Sequence, residues 1–256
     1  MASINGEELT QKVKLMYKDV AENPTGKYHF EMGRELAKKL GYLSEDLEQI
    51  PAEALGSFAG VGYYFDLAQL KEGDNVLDLG SGSGTDSFFA AKKIGQGKVM
   101  GIDMTFEQLN KANKLKEIYN FGNVSFKEGF IESLPMENES FDVVISNGVV
   151  NLSPDKEQVF KEISRVLKIG GKMAIADIVT EKQLTDKITC DVNVWASCIG
   201  GAMQIDKFKQ AISNSGMKIV SIKENPKYQF LSKSAQGATR DFGVKSISIL
   251  AEKPTK

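Results

Sequence analysis

From residue 71 to about residue 180 the chain alternates short apolar runs with amphipathic stretches. The runs are Asn75–Leu79, Lys98–Ile102, Val124–Lys127, Phe141–Ser146 and Lys172–Ile178. They are continuous rather than alternating, which predicts strands covered on both faces. Helical spacing fills about 85–94, 106–119 and 155–168 between them. The last of these opens on Ser153-Pro154, a capping residue with proline behind it, and closes on Gly170-Gly171. Strand–helix–strand repetition of this kind predicts an α/β fold with a doubly wound, mostly parallel sheet.

Two later runs, Lys218–Lys223 and Val244–Glu252, follow a helical stretch at about 204–214 and are expected to complete the sheet as an edge pair. Residues 225–243 have no clear period and contain Pro226 and Gly237, which predicts a long loop with room for one helical turn. The first 70 residues read as helices broken at Pro24-Thr25-Gly26 and at Gly41.

Composition narrows the function classes. With 32 Lys and Arg against 34 Asp and Glu, the formal charge of −2 gives no support for a nucleic-acid partner. No stretch approaches the ~18 apolar residues of a spanning helix, so no membrane partner is expected. The only two cysteines, Cys190 and Cys198, make no disulfide framework. A cytoplasmic protein, monomeric or homodimeric and without a metal, is the expectation.

The candidate chemistry sits at the ends of the first two strands. Val76-Leu77-Asp78-Leu79 runs into Gly80-Ser81-Gly82-Ser83-Gly84, and Val99-Met100-Gly101-Ile102 ends in Asp103. Dinucleotide sites need Gly-x-Gly-x-x-Gly, because the pyrophosphate sits at the start of the next helix. Here the glycines alternate, and Asp78 stands where it would repel a pyrophosphate but suit a cation. S-adenosylmethionine (SAM) has no phosphate and carries an ammonium group that Asp78 can attract. The two oxygens of Asp103 suit both ribose hydroxyls. Met104 offers adenine an apolar face, and Ile131, in Gly129-Phe130-Ile131-Glu132-Ser133-Leu134-Pro135, offers the other. Asn147 closes the fourth strand at the carboxyl end of the sheet, beside the expected sulfonium.

These motifs resemble the class I SAM-dependent methyltransferases. The longer strings Gly-Ile-Asp-Met-Thr (101–105), Asn-Leu-Ser-Pro-Asp-Lys (151–156), Arg-Val-Leu-Lys-Ile-Gly-Gly (165–171) and Cys-Ile-Gly-Gly-Ala (198–202) are similar to those of arsenite methyltransferases. More loosely, they are similar to those of quinone-biosynthesis C-methyltransferases. The resemblance covers about residues 50–220. It implies a Rossmann-like seven-stranded sheet, with residues 1–70 as an N-terminal helical lid and substrate region. Residues 71–256 would then form the SAM-binding methyltransferase domain. It also implies arsenic-binding cysteines at three places. This chain departs from that pattern with Val61 between Gly60 and Gly62, and with Gly148 after Ser146-Asn147; it keeps only Cys198. On one helix over 183–199, Cys190 would lie about 12 Å from Cys198, too far to share a metalloid atom.

The acceptor side is therefore left to weaker signals. His29, the only histidine, is a candidate base or substrate contact, with a surface or helix-packing role as the plainer reading. Cys198 is a candidate nucleophile or thiol contact, and a small buried apolar residue otherwise. Tyr63, Tyr64 and Trp195 are candidate pocket walls, and Asn147 completes the catalytic candidates. The function expected is methyl transfer from SAM to a small-molecule acceptor. The alternatives are a metalloid or thiol methyltransferase with a reduced cysteine site, a SAM-binding regulatory protein, and an NAD-dependent oxidoreductase.

Overall fold

The computed structural model describes residues 5–189, 195 and 199–255. All five early strands form: β1 (Asn75–Leu79), β2 (Lys98–Asp103), β3 (Val124–Glu128), β4 (Phe141–Asn147) and β5 (Leu167–Thr180). After them come the two-residue β6 (Met203–Gln204), then β7 (Lys218–Glu224) and β8 (Lys245–Glu252). The main path runs β3-β2-β1-β4-β5-β8-β7, with β6 beside β5 off this path. The first five strands are parallel, while β8 runs antiparallel to both β5 and β7. The expected seven-stranded, doubly wound sheet is thus present, with β8 inside and β7 at the edge.

Period-two alternation along buried strands sends neighbours to opposite cores. Val76 joins the cluster containing Phe88, Phe89 and Ile145, whereas Leu77 and Leu79 join the one containing Phe160 and Phe208. Asp78 accordingly faces the same layer as α6 (Thr85–Ile94), where Ser87 meets it. The helix α7 (Phe106–Ile118) follows β2.

The N-terminal region is helical with the expected breaks. It comprises α1 (Gly6–Glu22), α2 (Gly33–Leu40) and the single turns α3 (Ser44–Leu47), α4 (Ala52–Gly56) and α5 (Phe65–Ala68). α1 lies along α7. Lys18 pairs with Glu107 at 2.7 Å, Gln108 Nε2 donates to the Tyr17 carbonyl at 2.8 Å, and Lys111 Nζ donates to the Ala21 carbonyl at 3.2 Å.

Three local expectations need correction. The helix α8 (Lys156–Val166) is capped by Asp155, whose carboxylate accepts the Gln158 N–H at 3.0 Å; Ser153 and Pro154 lie outside it. Gly170-Gly171 does not stop that helix. The chain passes directly into β5, and the glycines occupy an irregularity between the Leu167 and Lys172 pairings. Finally, residues 225–243 contain a full helix, Lys233–Phe242, capped by Ser232. Its buried side chains are Ala235 and Ala238, and Gly237, which reads as a breaker in the sequence, stands inside it.

Phe88 is fully buried under the glycine turn, 4.6 Å from the Phe121 ring centroid and 5.6 Å from that of Phe126. Phe88→Ala should therefore lower unfolding free energy by about 3–5 kcal/mol in urea denaturation.

Candidate functional site

In this sheet the chain leaves β1 toward β2 on one side and reaches β4 on the other, so β1 and β4 flank a topological switch point. A cavity of about 1080 Å³, counted out to its mouth, opens there at the carboxyl ends of the strands. Its wall includes the glycine turn, Asp103, the 129–132 loop, Asn147 and three residues of α1, namely Thr10, Val13 and Tyr17.

The three glycines differ in what they do. Gly80 (φ +68°) and Gly84 (φ +93°) are left-handed positions where a Cβ would run into protein: Val149 at the first, Phe126 and Phe88 at the second. At Gly82 a Cβ would make only ordinary contact with the Gln108 side chain, at 3.7 Å, and the Gly82 N–H donates to Asp103 Oδ2 at 2.9 Å. The other oxygen of Asp103 accepts the Thr105 N–H at 2.8 Å. Two backbone donors, with the Thr105 side chain as a third, thus fix the carboxylate in the cavity wall. Burial pushes the Asp103 carboxyl up, against these donors and Lys14.

Asp78 is almost fully buried, and Ser87 Oγ donates to it at 2.6 Å. Burial, then the neighbouring Asp86 carboxylate, push its pKa up to about 8. Asp86 is a hub. It accepts Tyr42 and Tyr64 hydroxyls at 2.7 Å each and the Asn147 amide at 3.0 Å. Burial raises its pKa, and these three donors hold it down. Both tyrosines are pushed up by burial and by Asp86, so they remain donors.

Asn147 is fully engaged by the protein. Its Oδ1 accepts the N–H groups of Val61 and Gly62 at 2.8 and 3.3 Å, and its Nδ2 donates to the Gly62 carbonyl at 3.1 Å. From the opposite side Ser246 Oγ donates to the Val61 carbonyl at 2.6 Å, and Ser248 Oγ to that of Tyr63 at 3.2 Å. The 61–63 segment is thus fastened through its backbone.

Among the described residues, the cavity wall carries Asp78, Asp86, Asp103 and Glu132 but no Lys, Arg, His or Cys. Ser81, in the same wall, has a buried hydroxyl with no partner among them. Such a donor set fits a cation with vicinal hydroxyls, as SAM is, and disfavours an anion. No group of three or more His, Cys, Asp or Glu side chains gathers for a metal among the described residues. No helix among them is long and apolar enough to cross a membrane.

The structure therefore brings Asp78, Gly80, Gly82, Asp103, Met104, Ile131 and Asn147 into one wall, whereas Gly84 is not in the lining and turns toward Phe88 and Phe126. His29 is outside it, packed edge-on to Phe30 at 4.6 Å between ring centroids. Tyr63, Tyr64 and Trp195 are also behind the lining rather than in it. Cys198, like Cys190, lies outside the described residues. Val61 and Gly148 are neighbours, for a Cβ on Gly148 would stand 3.1 Å from Val61 Cγ1.

Asp86, Tyr42 and the inner face of α1 were not foreseen. An acid two residues past Gly84 reads as a partner for the helix N-terminus, and nothing local connects it to Tyr42.

The family described as methyltransferase domain matches residues 70–216. An arsenite methyltransferase of Halobacterium salinarum is 37% identical over 224 residues, which is 86% of this chain and 56% of that protein. The arsenite methyltransferase of Homo sapiens is 39% identical over 63% of this chain and 45% of its own length. The chain thus spans about half the length of these curated relatives. Among solved structures, an arsenic(III) S-adenosylmethionine methyltransferase from Chlamydomonas reinhardtii matches with a TM-score of 0.70 and 32% identity, over 82% of this chain and 72% of that one.

A carboxyl whose pKa is higher folded than unfolded costs stability once the unfolded chain ionises. For Asp78 that cost grows from about pH 4 until the folded group ionises near 8. Asp78→Asn should thus gain stability over wild type as pH rises from 5 to 8, on the order of a few kcal/mol, and no more above it. Urea denaturation at several pH values checks this.

Proposed function

The chain belongs to the methyltransferase domain family as a relative of the arsenite methyltransferases, and from that premise we propose that it is a SAM-dependent methyltransferase of small organic acceptors. One observation carries the cofactor half of this reading: Asp103 is fixed by the Gly82 and Thr105 N–H groups in the wall of an acid-lined cavity. In this assignment Asp78 and the glycine turn hold the methionine end, Asp103 takes the ribose hydroxyls, and Met104 and Ile131 flank adenine. When bound, SAM supplies a methyl group on a sulfonium leaving group. The chain's own work is placement of the acceptor's lone pair in line with it.

Residues 1–70 act as lid and substrate region. Support comes from Thr10, Val13 and Tyr17 of α1, which reach the cavity while Lys18, Tyr17 and Ala21 tie α1 to α7. Asn147 acts by holding the 61–62 backbone rather than by moving a proton, and His29 takes no step. The two cysteines suit a cytoplasmic setting, where a monomer or homodimer would work.

Arsenite is disfavoured as acceptor. Trivalent arsenic selects soft thiolates, yet the two neighbouring positions where the resemblance implies cysteines hold Val61 and Gly148. The acidic wall, empty of basic groups among the described residues, favours a neutral or cationic organic acceptor.

Calorimetry should detect SAM binding and no NAD binding. Asp103→Ala should weaken SAM binding roughly 10- to 150-fold, about 1.5–3 kcal/mol for a hydrogen-bonded charged group; an unchanged Kd would remove Asp103 from the cofactor site. An ammonium beside Asp78 favours its ionised form, so SAM binding should release a proton and tighten as pH rises toward 8. Asp78→Asn should flatten that dependence. S-adenosylhomocysteine release should respond to amines or phenols and not to arsenite; turnover with arsenite alone would overturn the acceptor class.

A further inference from the structure

Lys156 opens α8 and is only 5% exposed, an unusual place for a lysine. Its Nζ donates to the Ser153 carbonyl at 2.8 Å and stands 4.6 Å from the centre of the Trp195 ring. Ser153 in turn donates its hydroxyl to Glu132, and both line the cavity with Leu152 and Pro154. Trp195 is itself held, because its indole N–H donates to the Thr189 carbonyl at 2.6 Å.

A second buried charge braces the same wall from the sheet. Asp177, in β5, accepts the Asn151 N–H at 3.1 Å and its neighbour Ile178 N–H at 2.7 Å. Gly201 presses on this turn so closely that a Cβ there would collide with the Asn151 carbonyl and lie 2.9 Å from Trp195 Cε3. The 150–154 wall is therefore gripped between β5, the 129–132 loop and Trp195, with one ammonium at the junction.

We propose that Lys156 is a positioning residue for the acceptor half of the site: its buried ammonium, clamped between the Ser153 carbonyl and the Trp195 ring, holds the Leu152–Pro154 wall in place, and the wall loosens when that ammonium loses its proton. The assignment of this wall to the acceptor rests on the methyltransferase reading. The clamp itself does not. A neutral amine keeps neither the cation–π attraction nor a full charge-assisted bond to the carbonyl. Burial draws the Lys156 pKa down to about 8, opposed by the facing carboxylates of Asp177 from β5, Glu132 from the loop and Asp155 from its own cap. Burial also raises Asp177 to about 6, with the Ile178 and Asn151 N–H groups, then Lys156, opposing it. Below pH 8 the pair is thus charged on the lysine side, and the clamp opens on the alkaline side.

Trp195 is the only tryptophan in the chain, so its emission reports on this contact alone. Wild-type emission should change in one transition near pH 8 between pH 6.5 and 9.5. Lys156→Met should lose that transition, and Lys156→Arg, whose cation does not titrate there, should hold the low-pH emission throughout. SAM affinity by calorimetry should stay within twofold in both variants. With any acceptor that turns over, Lys156→Met should raise the acceptor KM at least fivefold and leave the KM for SAM alone. Wild-type kcat/KM should fall above pH 8 while that of Lys156→Arg does not. Flat wild-type emission, a transition surviving in Lys156→Met, or an unchanged acceptor KM each overturns the proposal. Should the methionine variant not fold by circular dichroism, the wild-type and arginine titrations still decide it. Absent SAM heat with an intact Trp195 transition would instead sink the methyltransferase reading.

Discussion

Four carboxylates stand around one cavity at the carboxyl ends of the sheet, and among the described residues no basic side chain shares its wall. Desolvating like charges together is expensive, and the elevated pKa of Asp78, Asp86 and Asp103 expresses that cost. Much of the surrounding architecture answers it with neutral donors. Ser87 serves Asp78, two tyrosines and an asparagine serve Asp86, and two backbone amides serve Asp103. None of these donors cancels charge, so a cationic ligand remains the partner that relieves the field. The left-handed turn that brings the Gly82 N–H to Asp103 is part of the same answer.

The Leu152–Pro154 side of the cavity obeys different physics. There the wall is held by a buried ammonium, an indole ring and a carboxylate on the neighbouring strand, each supplied by a different element. The similarity to the arsenite methyltransferase of Halobacterium salinarum covers 86% of this chain. Yet where the resemblance implies thiolates, this chain packs a valine against a glycine. One side of the cavity is thus built on charge and hydrogen bonds, and just outside its lining Val61 and Gly148 meet in an apolar contact.

What was legible in the amino-acid sequence was what is local. The five parallel strands announce themselves as continuous apolar runs, and Asp103 stands out because a strand end, an acid and a glycine turn recur at known spacing. Asp86 carries no such mark, since its meaning comes from Tyr42 and Tyr64, 44 and 22 residues away. Lys156 likewise looks like an ordinary first-turn lysine until the fold brings Trp195 over it. The helix Lys233–Phe242 escaped because Gly237 inside it reads as a breaker, although the helix tolerates it. Gly170-Gly171 misled because glycines that end helices and glycines that disrupt strand pairing look alike in one dimension. His29 drew notice by being rare, which is a property of composition and not of place.

The 61–63 segment is fastened by Asn147 on one side and by Ser246 and Ser248 on the other, and every bond reaches its backbone rather than its side chains. Anchors of that kind are blind to which amino acid they hold. The side chain at residue 61 therefore takes no part in holding the segment, and the bonds from Asn147, Ser246 and Ser248 would stay the same whatever that side chain were.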